Sequence, residues 1–63
     1  MSISNSLLNA IMEVGVTQKE LAEKSLVSKV TISKIVNGHV QSPDAMTMAQ
    51  LKKAFKSYGF NWE

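Results

Sequence analysis

The chain has 63 residues, the size of one small domain, and a domain of this size buries only about 60% of its unfolded surface. Its composition, 44% hydrophobic and 19% charged, is typical of a folded globular domain and excludes a disordered chain. The absence of cysteine excludes a disulfide framework, a cysteine-ligated zinc site and a thiol nucleophile. The formal net charge is +2 and all seven cations are lysines, which suits an anionic partner no better than it suits a solvated surface.

The sequence contains no signal for membrane insertion or export. No apolar run approaches the roughly 18–20 residues that a membrane-spanning helix needs. The N-terminal segment MSISNSLLNA has no basic stretch before an apolar core, so it does not have the form of a secretion signal. We therefore expect a cytoplasmic protein with no membrane partner.

The first predicted helix runs from about Ser4 to Val14 and ends at Gly15. Its apolar residues recur at intervals of three and four, the spacing that places side chains on one face of a helix. We predict that this face is buried; its residues are Ile3, Leu7, Leu8, Ile11 and Met12.

The second predicted helix begins at Thr17 and ends near Ser25. Thr17 and Glu20 have the spacing of a capping box, in which each side chain accepts a hydrogen bond from the other residue's backbone N–H. Leu21 and Ala22 are predicted to face inward, and the small Ala22 indicates close approach by another helix.

The third predicted helix runs from Lys29 to about Val36, after a turn at residues 26–28. Ser28 is its predicted N-cap, and residues 37–38, Asn-Gly, supply the stop. Its inward residues are Ile32, Ile35 and Val36. Its outward face is polar and cationic, and it comprises Lys29, Val30, Ser33, Lys34 and Asn37.

The last helical segment follows a loop at residues 39–42. We favour one helical turn from Pro43 and a main helix from Met48 to about Tyr58, with Thr47 as a capping residue. The predicted buried stripe is Met48, Leu51, Ala54, Phe55 and Tyr58, and Met12, Met46 and Met48 are predicted to fill gaps in the core. Nothing alternates with the period of a strand, so we predict an all-α fold, a compact bundle of four to five short helices.

Residues 17–38 carry a recognisable pattern, TQKELAEKSLVSKVTISKIVNG. This segment resembles the helix-turn-helix of lambda-repressor and Cro-like proteins, the XRE family of bacterial and phage regulators. The similarity is ungapped over about a third of the chain. It implies a lambda-repressor-like DNA-binding domain over residues 1–63, with the helix-turn-helix at residues 17–38.

The resemblance also implies a role for individual side chains. The positions that match base-contacting residues are Lys29, Val30, Ser33 and Lys34; those that match backbone-contacting residues are Gln18, Thr31 and Asn37, and we add His39 in the following loop. A lysine can donate to guanine O6 or N7, and a valine can pack on a thymine methyl. Without the resemblance, Lys29 and Lys34 would be interpreted as a solvated face.

Three positions depart from the family pattern. Leu26 stands where a glycine is usual in the turn, which would cost strain if the backbone there needs a positive φ. Ile11 and Val36 replace a buried Arg–Glu pair that many relatives carry, and a packed apolar pair is often neutral or stabilising by comparison. The segment after Asn-Gly, HVQSPD at residues 39–44, contributes only His39 as a potential cation, and it contains Asp44.

The resemblance implies a sequence-specific transcriptional regulator, of the Cro-like or short phage or prophage repressor kind. Such a protein would bind a pseudo-palindromic operator in double-stranded DNA as a homodimer. The chain's length argues against a repressor with a separate C-terminal oligomerisation domain. An alternative is an antitoxin or protein-binding adaptor of the same fold.

The aromatic tail at residues 60–63 has two interpretations. In one, Phe60 and Trp62 fold back and close the core of their own subunit. In the other, which we favour, they form a symmetric dimer contact; in an antitoxin or adaptor they would dock a partner protein. No enzyme is expected, because the chain has one His, no Cys, no suitably spaced carboxylate pair and no phosphate-binding Gly-rich loop. We predict no catalytic residue, metal, cofactor or small-molecule substrate.

Overall fold

Capping side chains determine where two of the helices begin. Thr17 has an extended backbone, its Oγ1 accepts from the Glu20 N–H at 3.0 Å, and Glu20 Oε1 accepts from the Thr17 N–H at 2.9 Å. Ser28 is likewise extended, and its Oγ accepts from the Thr31 N–H at 3.1 Å. These bonds satisfy N–H groups that a helix start otherwise leaves without a partner, so both predicted caps are confirmed.

The computed structural model describes residues 3–62, and Met1, Ser2 and Glu63 of the predicted domain lie outside the described residues. The helices are α1 (Ile3–Val14), α2 (Gln18–Ser25), α3 (Lys29–Val36) and α4 (Ala45–Ser57). Within residues 3–62 there is no strand, and the predicted all-α fold is confirmed. No helix in this part of the chain is long and apolar enough to cross a membrane.

Helix α4 begins earlier than predicted and is continuous. Asp44 is its N-cap, with an extended backbone and Oδ1 accepting from the Thr47 N–H at 3.4 Å. The expectations of a separate turn at Pro43 and a main helix from Met48 were therefore wrong. Asp is among the strongest N-cap residues, and with Asp44 in that position Thr47 lies inside the first turn.

The core forms where α2 and α3 pack on each other, α1 on α3, and α2 on α4. Six of its larger side chains are almost completely buried: Leu7, Leu21, Ile32, Ile35, Leu51 and Phe55. Each had been predicted to face inward. At about 25 cal/mol per Å² of apolar surface, burial of this kind is the main favourable term for a chain this short.

Several residues predicted to be buried are exposed. Met12 is 70% exposed, and Leu8, Met46 and Tyr58 are also exposed. Leu8 and Met12 follow Leu7 and Ile11 by one residue, about 100° around the helix, so they lie at the margin of the buried face. The prediction treated the apolar stripe of α1 as wider than the surface that its neighbours cover.

The turn between α2 and α3 contains a leucine in the left-handed conformation. Leu26 has φ 63° and ψ 19°, and its N–H donates to the Ala22 carbonyl at 2.9 Å. The buried Ser25 hydroxyl accepts from the Val27 N–H at 3.2 Å, which satisfies the next backbone group of the turn. The turn therefore keeps a positive φ although it has no glycine.

Helix α1 is tied to the C-terminal end of α3. The Ser4 hydroxyl donates to the Val36 carbonyl, one of the last carbonyls of α3, which lack intrahelical donors. Ile11 is buried and the half-buried Val36 packs against the core, so both residues are apolar parts of the core.

Replacing Leu26 by glycine is expected to stabilise the domain. A left-handed non-glycine residue costs about 1–2 kcal/mol, more than the roughly 0.5–1 kcal/mol of chain entropy that a glycine adds to folding. The exposed Leu26 side chain contributes little burial that would be lost. We expect the thermal midpoint of unfolding to rise by a few degrees.

Leu26→Ala is the matched control, because alanine removes the side chain but keeps the Cβ that causes the strain. It should leave the midpoint nearly unchanged. An equal rise in both variants would mean that the exposed side chain, rather than the backbone conformation, is the source of the instability.

Candidate nucleic-acid interface

The outer face of α3 borders a shallow, open depression of about 360 Å³. Its lining consists of Lys29, Val30, Ser33, Lys34, Asn37 and His39. All four residues predicted to contact bases are present, together with two of the four predicted to contact the DNA backbone. No described residue outside the predicted set lines this depression.

The depression is cationic and accessible. Lys29 and Lys34 are exposed, and no Asp or Glu is among the described residues of the lining. Val30 is 63% exposed, so an apolar side chain faces solvent between the two cations. Helix α3 has eight residues and is therefore about 12 Å long, and a helix about 10–12 Å across fits the roughly 12 Å major groove of DNA.

Ser33 and Asn37 hold each other in place on this face. They are one helical turn apart, and Asn37 Nδ2 donates to Ser33 Oγ at 3.2 Å. As acceptor in this bond, Ser33 keeps its own hydroxyl hydrogen for a second partner. Asn37 keeps one amide hydrogen and its carbonyl oxygen. The sequence placed both side chains on the outer face but did not indicate this bond.

The C-terminal end of α3 turns sharply and brings His39 to the depression. The Gly38 N–H donates to the Ile35 carbonyl at 3.1 Å, and the His39 N–H donates to the Lys34 carbonyl at 2.8 Å. Gly38 has φ 82°, which glycine adopts without strain. The predicted stop at residues 37–38 is confirmed, and the exposed His39 lines the depression together with Asn37.

Gln18 and Thr31 are the two predicted contact residues that lie outside this depression. Gln18 is the first residue of α2, half-buried, where the helix leaves backbone N–H groups without intrahelical acceptors. Thr31 is half-buried, and its hydroxyl forms a 2.9 Å hydrogen bond with the hydroxyl of Ser28. That bond stabilises the start of α3 and leaves the threonine with less freedom to reach a phosphate.

The aromatic tail lies against the core of its own chain. Trp62 is 6% exposed, and the centroid of its ring is 5.4 Å from that of Phe55. Its Nε1–H donates to Ser6 Oγ at 2.9 Å. The half-buried Phe60 ring meets Phe55 edge to face, with 5.8 Å between the ring centroids. Of the two interpretations of the tail, folding back describes these positions, and a dimer contact through Trp62 would have to disrupt this packing.

A capped helix with a polar, cationic outer face, joined by a tight turn to a preceding capped helix, defines a helix-turn-helix. The helix-turn-helix family model of the Cro/C1 type matches residues 7–62. The chain therefore belongs to this family, the XRE family, whose members are DNA-binding transcription regulators rather than enzymes. Neither the curated proteins nor the solved structures contain a match to the chain.

The fluorescence of Trp62 should report its intramolecular packing. It is the only tryptophan of the chain, so the emission spectrum has a single source. We expect a blue-shifted emission maximum that does not change on dilution, because the surroundings of the ring come from its own subunit. A red shift on dilution would instead show that the ring is buried by a second subunit. Denaturant-unfolded protein provides the emission of the exposed ring.

Proposed function

We propose that this protein is a sequence-specific repressor of the Cro-like or short phage-repressor kind, which binds a pseudo-palindromic operator as a homodimer. Residues 1–63 form one DNA-binding domain. Two subunits insert their α3 helices into successive major grooves, with half-sites about one helical turn apart. Bound in this way, the dimer prevents RNA polymerase from occupying the same DNA.

The observation that carries this proposal is the convergence of six predicted contact residues on one open, cationic depression. Lys29 and Lys34 donate to guanine O6 or N7, and the exposed Val30 packs on a thymine methyl. Ser33, which already accepts a hydrogen bond from Asn37, donates its hydroxyl hydrogen to a base acceptor.

Backbone contacts position the protein without reading sequence. Gln18 and the N-terminal N–H groups of α2 bind one phosphate, and Asn37 and His39 bind another near the end of α3. Thr31 contacts a phosphate or a thymine methyl at the edge of this surface. With only two lysines on the reading face, non-specific binding is weak and its salt dependence modest, because the salt slope follows the number of phosphates neutralised.

The positions of the tail residues do not favour an antitoxin or adaptor that docks its partner through the tail. The ring of Trp62 is buried, and its N–H already has an acceptor in Ser6. A partner would have to replace both the packing and the hydrogen bond. The half-buried Phe60 retains an accessible part, and it is the tail residue we retain as a candidate dimer contact.

Selection of bound sites from random double-stranded DNA tests both the specificity and the dimer. We expect a two-fold symmetric consensus whose half-sites are about 10–10.5 base pairs apart, centre to centre. A consensus with one asymmetric half-site would contradict the homodimer but not DNA reading by α3. Failure to enrich any sequence would contradict sequence-specific binding itself.

The Lys29→Ala, Lys34→Ala double variant tests the reading face on the selected site. We expect the dissociation constant to rise about 100-fold, roughly tenfold for each lost base contact. Fluorescence anisotropy with a labelled duplex measures the change, and circular dichroism checks that the variant is folded.

The matched control is the Lys52→Ala, Lys56→Ala double variant. It removes the same charge from exposed positions of α4 that do not line the depression. Its affinity for the selected site should change by less than about threefold, since only long-range electrostatics are altered. Equal losses in the two double variants would mean that net charge, and not the α3 face, determines binding.

A further inference from the structure

Leu26 combines three properties that folding alone does not favour. Its backbone is left-handed, its side chain is large and apolar, and that side chain is 82% exposed. The left-handed conformation costs free energy that a glycine at this position would not cost. Because so little of the side chain is buried, apolar burial offsets almost none of that cost. Strain retained at an exposed site is an indication of function.

The exposed leucine stands at the edge of a groove between the C-terminal end of α2 and the middle of α4. The groove has a volume of about 270 Å³ and is not part of the α3 depression, with which it shares no lining residue. Lys24 and Lys53 line it from the two helices, and Gln50 and Ser57 add polar groups. Among the described residues of the lining there is no Asp or Glu, so its charge is entirely positive.

One of the two lysines has a defined position. The Nζ of Lys24 lies 5.9 Å from the centroid of the Tyr58 ring, at the end of α4. A cation–π contact of this kind restrains the ammonium group without neutralising it. The groove therefore presents an apolar anchor beside cations that can still bind a carboxylate.

We propose that this groove docks a protein segment in which an apolar side chain is flanked by carboxylates. The apolar side chain packs on Leu26, and the carboxylates pair with Lys24 and Lys53. Charge complementarity selects the acidic partner, and the buried apolar contact supplies most of the affinity.

A nucleic acid fits the same surface less well. Phosphates would pair with Lys24 and Lys53, but the sugar–phosphate backbone offers little apolar surface to Leu26 at the edge of the groove. The groove belongs to the turn that leads into α3 and leaves the residues of the α3 depression free. A protein segment can therefore bind here while α3 is on DNA.

The test begins with a displayed library of random twelve-residue peptides, panned against the full chain. We expect enrichment of peptides in which one or two large apolar residues lie among aspartates and glutamates. The dissociation constant of a synthetic peptide of the enriched sequence is then measured by fluorescence anisotropy, and its site is mapped from backbone amide chemical shifts.

The variants separate this surface from the rest of the protein. Leu26→Gly, which should be more stable than the parent, and Lys24→Gln with Lys53→Gln should each raise the peptide's dissociation constant about tenfold or more. Lys52→Gln, which changes an exposed lysine of α4 outside the groove, should alter it less than about twofold, because solvent and salt screen a charge that the peptide does not contact.

Four outcomes would overturn the proposal. The first is that panning enriches no acidic, apolar peptide, and the second is that the peptide binds Leu26→Gly as tightly as the parent. The third is that the chemical shift changes caused by the peptide map to Lys29 and Lys34, which would make the peptide a DNA mimic on α3. Finally, loss of affinity for the selected DNA duplex in Lys24→Gln with Lys53→Gln would assign these lysines to DNA. Unchanged DNA affinity with reduced peptide affinity supports the docking site.

Discussion

The turn between α2 and α3 is the constraint on which the rest of the structure depends. Its backbone groups have defined partners in Ala22, Ser25 and Ser28, which accept from the N–H groups of Leu26, Val27 and Thr31. These bonds end α2, reverse the chain and start α3 within three residues. Because these bonds fix the backbone of the turn, they define the orientation of the outer face of α3 relative to α2. This geometry requires the left-handed backbone of Leu26, which costs free energy in a residue other than glycine.

A chain of this size needs more than four short helices to complete its core, and the tail provides the missing surface. After Gly59 the chain reverses, and the Phe60 N–H donates to the Phe55 carbonyl at 3.0 Å. The rings of Phe60 and Trp62 then pack on Phe55, and the indole N–H finds an acceptor in α1. Trp62 thus joins the first and last helices, which have few other contacts, and Phe60 extends the packing on Phe55.

Local signals predicted the helix-turn-helix because each cap and the backbone group it binds lie within three or four residues of each other in the sequence. Thr17 with Glu20, and Ser28 before α3, were identified from spacing alone. The start of α4 was mistaken because several capping residues stand close together there, and only the packed chain decides among them. The exposure of Met12 was missed for a related reason: helical periodicity gives the direction of a side chain but not which directions a neighbour covers.

In the candidate site, too, the positions that depend on local spacing were predicted, and those that depend on packing between helices were not. Five residues share the outer face of α3, so the period of the helix alone brought them together: Lys29, Val30, Ser33, Lys34 and Asn37. The stop at Gly38 added His39. The position of Gln18 relative to this face depends on how α2 and α3 cross. The freedom of the Thr31 hydroxyl depends on its hydrogen bond with Ser28. Residue spacing reveals neither. The inward apolar residues of α3 pack in the core and fix the position of the helix, so its outer face is formed before any partner binds. Preorganised contacts lose little conformational entropy on binding, so the proposed reading face of two lysines, one valine and one serine would lose less of it on DNA than a mobile segment of the same composition.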